Sequence, residues 1–180
     1  MSLAKVNQIG RVRKPGKCEK CGLEIKVGDP AVRFAVGFRA RPRTRCTKTE
    51  CFPRPSERES SLVADVYAAQ EEVDLSTAAS LEDLETARDD VVSATQEVAG
   101  QYEDSEMYDK NPDLQERAEM LNTAADELEG WEPEEEEPTP DDEEWTIAGT
   151  DYDNFDDAYG AWLDAARESL QGAIDEMELP

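Results

Sequence analysis

Four cysteines fall in two close pairs, Cys18-Glu19-Lys20-Cys21 and Cys46-Thr47-Lys48-Thr49-Glu50-Cys51, with 24 residues between the pairs. Zinc takes four soft or borderline ligands in a tetrahedron, and two such pairs supply a closed set. The C-x2-C spacing presents both sulfurs to one point, and Gly22 just after it permits a tight backbone. C-x4-C is the looser of the two spacings. A redox dithiol and unrelated buried thiols are the competing readings. The complete set of four favours a structural Zn2+ on Cys18, Cys21, Cys46 and Cys51, with no open position for catalysis.

A second constellation is basic. Arg39, Arg41, Arg43 and Arg45 alternate with Ala40, Pro42 and Thr44. If extended, this stretch puts all four guanidinium groups on one face over roughly 20 Å. Pro42 confines it to an edge strand or a loop. An exposed row of arginines suits phosphate contacts. Lys5, Arg11, Arg13, Lys14, Lys17 and Lys20 form a second basic run. The candidate nucleic-acid contacts are therefore Arg39, Arg41, Arg43, Arg45, Lys14 and Lys17, with Phe34, Phe38 and Phe52 as the few residues able to stack on bases. Pairing with acidic segments and plain solvation are the alternatives.

Other chemistry has little support. The chain has no histidine, which excludes Ser-His-Asp and Cys-His catalysis. Gly10 to Cys18 resembles a phosphate-binding loop only superficially: five residues separate its glycines, and Cys stands where Ser or Thr would hold magnesium. Asp151 to Asp157 lacks the glycine and the third oxygen ligand of a calcium loop. A binding protein is expected rather than an enzyme.

The elements that must position these residues carry opposite charge. Residues 1–57 hold 14 Lys and Arg against 5 Asp and Glu, and residues 58–180 hold 5 against 39. The net values of +9 and -34 make up the -25 of the 180-residue chain. Only 38% of residues are hydrophobic and 35% are charged, too little apolar material for one large core. No apolar run approaches the ~18 residues of a membrane span. MSLAKVNQIG lacks an apolar leader core, so a cytoplasmic, reducing setting is expected, in which cysteines read as metal ligands.

The expected fold class is α+β, a small four-cysteine zinc finger of β-hairpin plus helix followed by an acidic, mainly helical region. Leu23 to Val27 alternates, Gly28-Asp29-Pro30 turns, and Ala31 to Phe38 reads as a second strand. Ser56-Glu57-Arg58-Glu59 is a capping box that would open a helix bearing Leu62, Val66, Ala69 and Val73. Asp74 to Thr77 breaks it. A second helix carries Leu81, Leu84, Val91, Val98 and Tyr102, weakened at Gly100. Asn111-Pro112 starts a third with Leu114, Ala118, Leu121, Ala125 and Leu128. The last two pair as an antiparallel αα-hairpin. Residues 131–150 read as an acidic, proline-rich linker flanked by Trp131 and Trp145. Residues 151–180 end in an amphipathic helix with Phe155, Tyr159, Trp162, Ala166, Leu170, Ala173 and Met177. The domains are thus 1–57, 58–130, 131–150 and 151–180.

The head also resembles a known group. Cys18, Cys21, Gly22, Ile25, Gly28 and Asp29, then Cys46, Cys51, Pro53, Arg54, Ser56 and Glu57, are similar to the small zinc-finger proteins of tailed bacteriophages. The likeness covers about a third of the chain and implies zinc and a treble-clef-like fold, in the host cytoplasm if the protein is phage-encoded. Its first half also resembles the start of the nick-sensing finger of poly(ADP-ribose) polymerases, a family that uses one histidine ligand where this chain has none. The expected function is an accessory protein whose basic zinc head contacts nucleic acid or a nucleoprotein complex, while its acidic tail binds a protein partner. Two alternatives are an acidic nucleic-acid mimic that inhibits a DNA-binding protein, and an assembly component that homo-oligomerises through its helices.

Overall fold

The computed structural model describes residues 3–37, 39–141 and 144–180. Among them it shows an α+β chain with four α-helices and three small antiparallel sheets. Two compact units form, Met1–Ala68 and Ala69–Pro180.

The first unit holds β1 (Asn7–Ile9), β2 (Gly16–Lys17), β3 (Glu24–Ile25), β4 (Ala31–Phe34) and β5 (Arg43–Arg45). Strands β1, β4 and β5 make one antiparallel sheet in the order β1-β4-β5, and β2 pairs with β3. The expected hairpin across Gly28-Asp29-Pro30 does not form. β3 folds back on β2, whereas β4 lies between β1 and β5, so the turn crosses from one sheet to the other. It is clamped by Val12, whose N–H donates to the Asp29 carbonyl and whose carbonyl accepts from Gly28, both at 2.9 Å. Gly28 has φ of 97°, a conformation that side chains resist. One apolar cluster of the unit joins Val12, Ile25 and Ala31 to the buried Cys18, Cys46 and Cys51, and Val32, Phe34, Val63 and Val66 are buried as well.

The capping box does not open a helix. Ser56 to Arg58 form a turn, and the first helix, α1 (Val63–Glu72), starts later. Both glutamates are used elsewhere. Glu59 is buried and its carboxylate accepts from the N–H groups of Ser60 and Ser61, while Glu57 pairs with Arg45. The buried stripe of α1 is accordingly Val63 and Val66, and Leu62 is exposed.

The second unit contains α2 (Leu81–Glu103), α3 (Pro112–Glu129) and α4 (Phe155–Asp175). Each starts on a side-chain cap: Ser80 accepts from the Asp83 N–H, Asn111 from Asp113, and Asn154 from Asp157. Pro112 occupies the first helical position, where its missing N–H costs nothing. Helices α2 and α3 pack along their lengths as an antiparallel pair, and α4 lies against α2. Arg88, near the start of α2, donates to the carbonyl of Trp131 just beyond α3. The core gathers Leu84, Val91, Leu128, Trp131, Trp162, Leu170 and Ile174. Most expected stripe residues lie in it or against it; Ala158, Leu163 and Ile174 on α4 are additional.

The segment expected to be a linker is instead folded. Trp131 is 8% exposed, and its indole N–H donates to Ser169 Oγ at 3.2 Å. Trp162 donates to the Glu135 carbonyl at 2.9 Å, and Trp145 to the Thr139 carbonyl at 2.9 Å. Past this strap, β6 (Trp145–Ile147) and β7 (Thr150–Tyr152) make a hairpin. Its turn at Ala148 and Gly149 has positive φ at both residues. The Glu135 carboxylate accepts from the Ala148 N–H, tying strap to hairpin. Three buried or half-buried indoles outweigh the repulsion that composition alone would predict to dominate. Asp142 and Glu143 of this acidic run lie outside the described residues.

Trp162→Ala is expected to destabilise the protein by about 3–5 kcal/mol through lost packing. Met107→Ala, at a site 54% exposed, should stay within about 0.5 kcal/mol. Urea unfolding followed by circular dichroism compares the two, and superimposable curves would show that α4 is not part of the core.

Candidate metal centre and basic surface

The two cysteine pairs reach one point by different routes. Cys18 directly follows β2 and Cys21 lies in the turn to β3. There the Gly22 N–H donates to the Cys18 carbonyl at 2.9 Å and the Cys18 N–H to the Leu23 carbonyl at 2.8 Å. Gly22 adopts φ of 72°, which lets the knuckle close. Cys46 follows β5 directly, and Cys51 ends the short helical turn Thr49–Cys51. The knuckle is tied to β5 through Glu19. Its N–H donates to the Thr44 carbonyl at 3.0 Å, and its carboxylate accepts from the Thr44 N–H at 3.2 Å.

All four sulfurs lie within 4.8 Å of one another. Cys21 and Cys46 are 3.8 Å apart. Four thiolates at ~2.3 Å from a tetrahedral zinc would sit about 3.8 Å from each other, whereas a disulfide needs about 2.05 Å. The donor set and its spacing therefore fit a metal ion such as zinc. Cys18, Cys46 and Cys51 are buried and Cys21 is exposed, leaving one side of the cluster open to solvent.

Burial pushes the Cys51 thiol up to about 12, reinforced by its hydrogen bonds with Cys21, Cys46 and Cys18. Cys46 is also raised, chiefly by burial. Burial opposes ionisation of Cys18 too, but backbone N–H groups of Cys21, Cys46 and Lys20 bring its thiol down to about 6. The pocket is thus prepared for one thiolate and resists further ones unless a cation shares the site.

Beside the cluster lies an ion pair that the sequence pattern does not announce. Arg45 is 5% exposed and makes a two-pronged contact with Glu57, Nη1 to Oε2 at 2.7 Å and Nη2 to Oε1 at 2.6 Å. Its guanidinium also lies 5.1 Å from the centre of the Phe34 ring. The hydrogen bonds from Arg45 bring the Glu57 carboxyl down to about 2, helped by the Arg54 N–H at 3.0 Å. The expected row of four exposed arginines is corrected accordingly. Arg43 and Arg45 do share a face of β5, opposite Phe34 and Val32. Arg45 is consumed by Glu57, and Arg39 and Arg41 precede the strand in irregular backbone, with φ of 62° at Arg39. Arg41 and Arg43 remain exposed and line a hollow of about 560 Å3 with Pro42, Ala40, Val36 and Glu19. Lys14 and Lys17 are exposed as well. Phe34 is buried and unavailable for stacking, Phe52 is 39% exposed, and Phe38 lies outside the described residues.

Glu57→Gln should weaken the Arg45 contact by about 2 kcal/mol, the value of a hydrogen bond to a charged group. Hydrogen exchange over residues 43–46 would then quicken ~30-fold, while Arg43→Gln should leave it unchanged. The folded carboxyl titrates below its ordinary value of 4.5. Its contribution is therefore complete above pH 4.5 and fades as pH falls toward about 2, and the gap between wild type and Glu57→Gln must narrow across that window.

No protein-family model, curated protein or solved structure matches the chain.

Proposed function

We propose that the chain is a zinc-dependent binding protein. In this reading Cys18, Cys21, Cys46 and Cys51 hold one structural Zn2+ in a treble-clef-like finger, and the metal-held basic unit contacts the phosphate backbone of nucleic acid. The observation that carries it is the convergence of four sulfurs at the spacing of a closed tetrahedral site. With four thiolates the site carries a charge of -2, so the +9 head stays near +7. Arg41 and Arg43 around their hollow, with Lys14 and Lys17, are the groups assigned to phosphates. Arg45 holds the frame instead. A phage-type accessory role, as the resemblance of the head implies, accords with binding rather than catalysis.

A second reading is favoured by the folded strap. Glu134 to Glu137 are four consecutive glutamates on backbone anchored by indole donors. A merely solvating tail needs no such anchors, so the helical unit is read as presenting carboxylates on a fixed frame to a basic protein.

Elemental analysis should find one zinc per chain, and Cys51→Ser should lower its affinity at least tenfold in competition with a chromophoric chelator. Affinity for a 20-nucleotide DNA, single-stranded or duplex, should fall with salt. The combined change Arg41→Gln, Arg43→Gln should reduce the log–log slope by about 1.4–1.8, the counterions two phosphate contacts release. A slope unchanged by that pair, or no DNA binding at ~50 mM salt, would end the nucleic-acid reading.

A further inference from the structure

A trough of about 280 Å3 runs between the strap and α4. Pro133 from the strap and Trp162, Ala165 and Ala166 from α4 give it an apolar stretch, beside Glu135, Ala148 and Ser169. Glu134 from the strap and Glu168 from α4 also line it, and both are exposed. Among the described residues no Lys or Arg lines this trough, and none forms an ion pair with either of these two carboxylates.

We propose that this trough receives a long basic side chain, lysine or arginine, from a basic segment of a partner protein. The inference rests on the second reading above and gives it a place. Charge complementarity selects the occupant. A purely aliphatic side chain would satisfy the apolar stretch but leave both carboxylates unpaired and partly desolvated. An acidic or phosphorylated one would be repelled by Glu134 and Glu168. A lysine or arginine satisfies both, laying its methylene stem along Pro133, Ala165 and Ala166 and its charged head toward the carboxylates.

Two further features support it. The strap is held before any partner arrives: the Trp162 N–H grips the Glu135 carbonyl, and Trp131 on the same strap bonds Ser169 along α4. Little ordering entropy then remains to oppose binding. Residues 69–180 also carry 37 Asp and Glu against 4 Lys and Arg, a field that draws cationic segments in from a distance.

The test uses the full-length, zinc-supplemented protein and a fluorescein-labelled decalysine peptide, read by fluorescence anisotropy at physiological salt. Three variants separate the trough from the general field. Glu134→Gln with Glu168→Gln removes two lining charges. Glu106→Gln with Glu116→Gln removes two exposed carboxylates elsewhere on the unit. Ala165→Leu fills the trough at an exposed helical site without changing charge. The expected result is a loss of tenfold or more for the lining pair, under twofold for the distant pair, and at least fivefold for Ala165→Leu, with unaltered thermal melting. Equal losses for the two charge pairs, or an unaffected Ala165→Leu, would overturn the trough while leaving a general acidic interaction standing. No decalysine binding by the wild type would overturn both the trough and the acidic-unit reading.

Discussion

Four thiols held within 4.8 Å of one another set the terms for the first unit. Each thiolate raises the cost of the next, and burial of three of them removes the water that would screen the repulsion. The apolar side chains clustered with them are Val12, Ile25 and Ala31, with Ile9 packed alongside, while Val32, Phe34, Val63 and Val66 are buried elsewhere in the unit. A unit this small gains from a staple in addition to such a core. A cation bound there would discharge the sulfurs and crosslink the knuckle, β5 and the turn at Cys51. On this logic the peripheral contacts are alignment devices. Glu19 ties the knuckle to β5, and Arg45 ties β5 to the turn at Glu57, so each pair of sulfurs is presented from backbone already fixed in place.

The second unit solves a different electrostatic problem. Its helices expose carboxylates on nearly every outward turn, and its strap places four glutamates in a row. Order survives partly because several of its polar anchors are neutral. Indole N–H groups meet carbonyl or hydroxyl oxygens, side-chain caps begin α2, α3 and α4, and none of these contacts needs a counter-charge. Aromatic rings add packing along the same line, with Trp145, Phe155, Tyr159 and Trp162 in contact in sequence at centroid distances of 5.6 to 6.4 Å.

Sequence spacing is informative wherever one residue type has one dominant use. Paired cysteines, Asn-Pro at a helix start, and most apolar residues of the three later helices fall where expected, whereas the stripe of α1 is shifted. It misleads where a residue has several uses. Ser56 to Glu59 matches a capping box, but Glu57 and Glu59 find stronger partners in Arg45 and in the Ser60 and Ser61 amides. Alternating arginines predict a uniform face, yet nothing in the alternation marks Arg45 as the one next to a carboxylate twelve residues away. The acidic strap reads as structureless because composition counts its repelling charges and ignores its tryptophans. Trp131 and Trp145, which flank it, are the legible hint of its order.

Segregating charge between the two units also separates what each can recognise. A basic surface attracts nucleic acid indiscriminately, because phosphate contacts carry no sequence information. Covalent linkage to a segment of -34 sets a repulsion against that attraction, and the repulsion fades over about 8 Å at physiological salt. Screening confines that opposition to charges within about that distance of one another. A basic protein engaging the strap would neutralise part of the opposing field. On the proposed reading, neutralising the acidic segment should strengthen nucleic-acid binding by the head through charge alone.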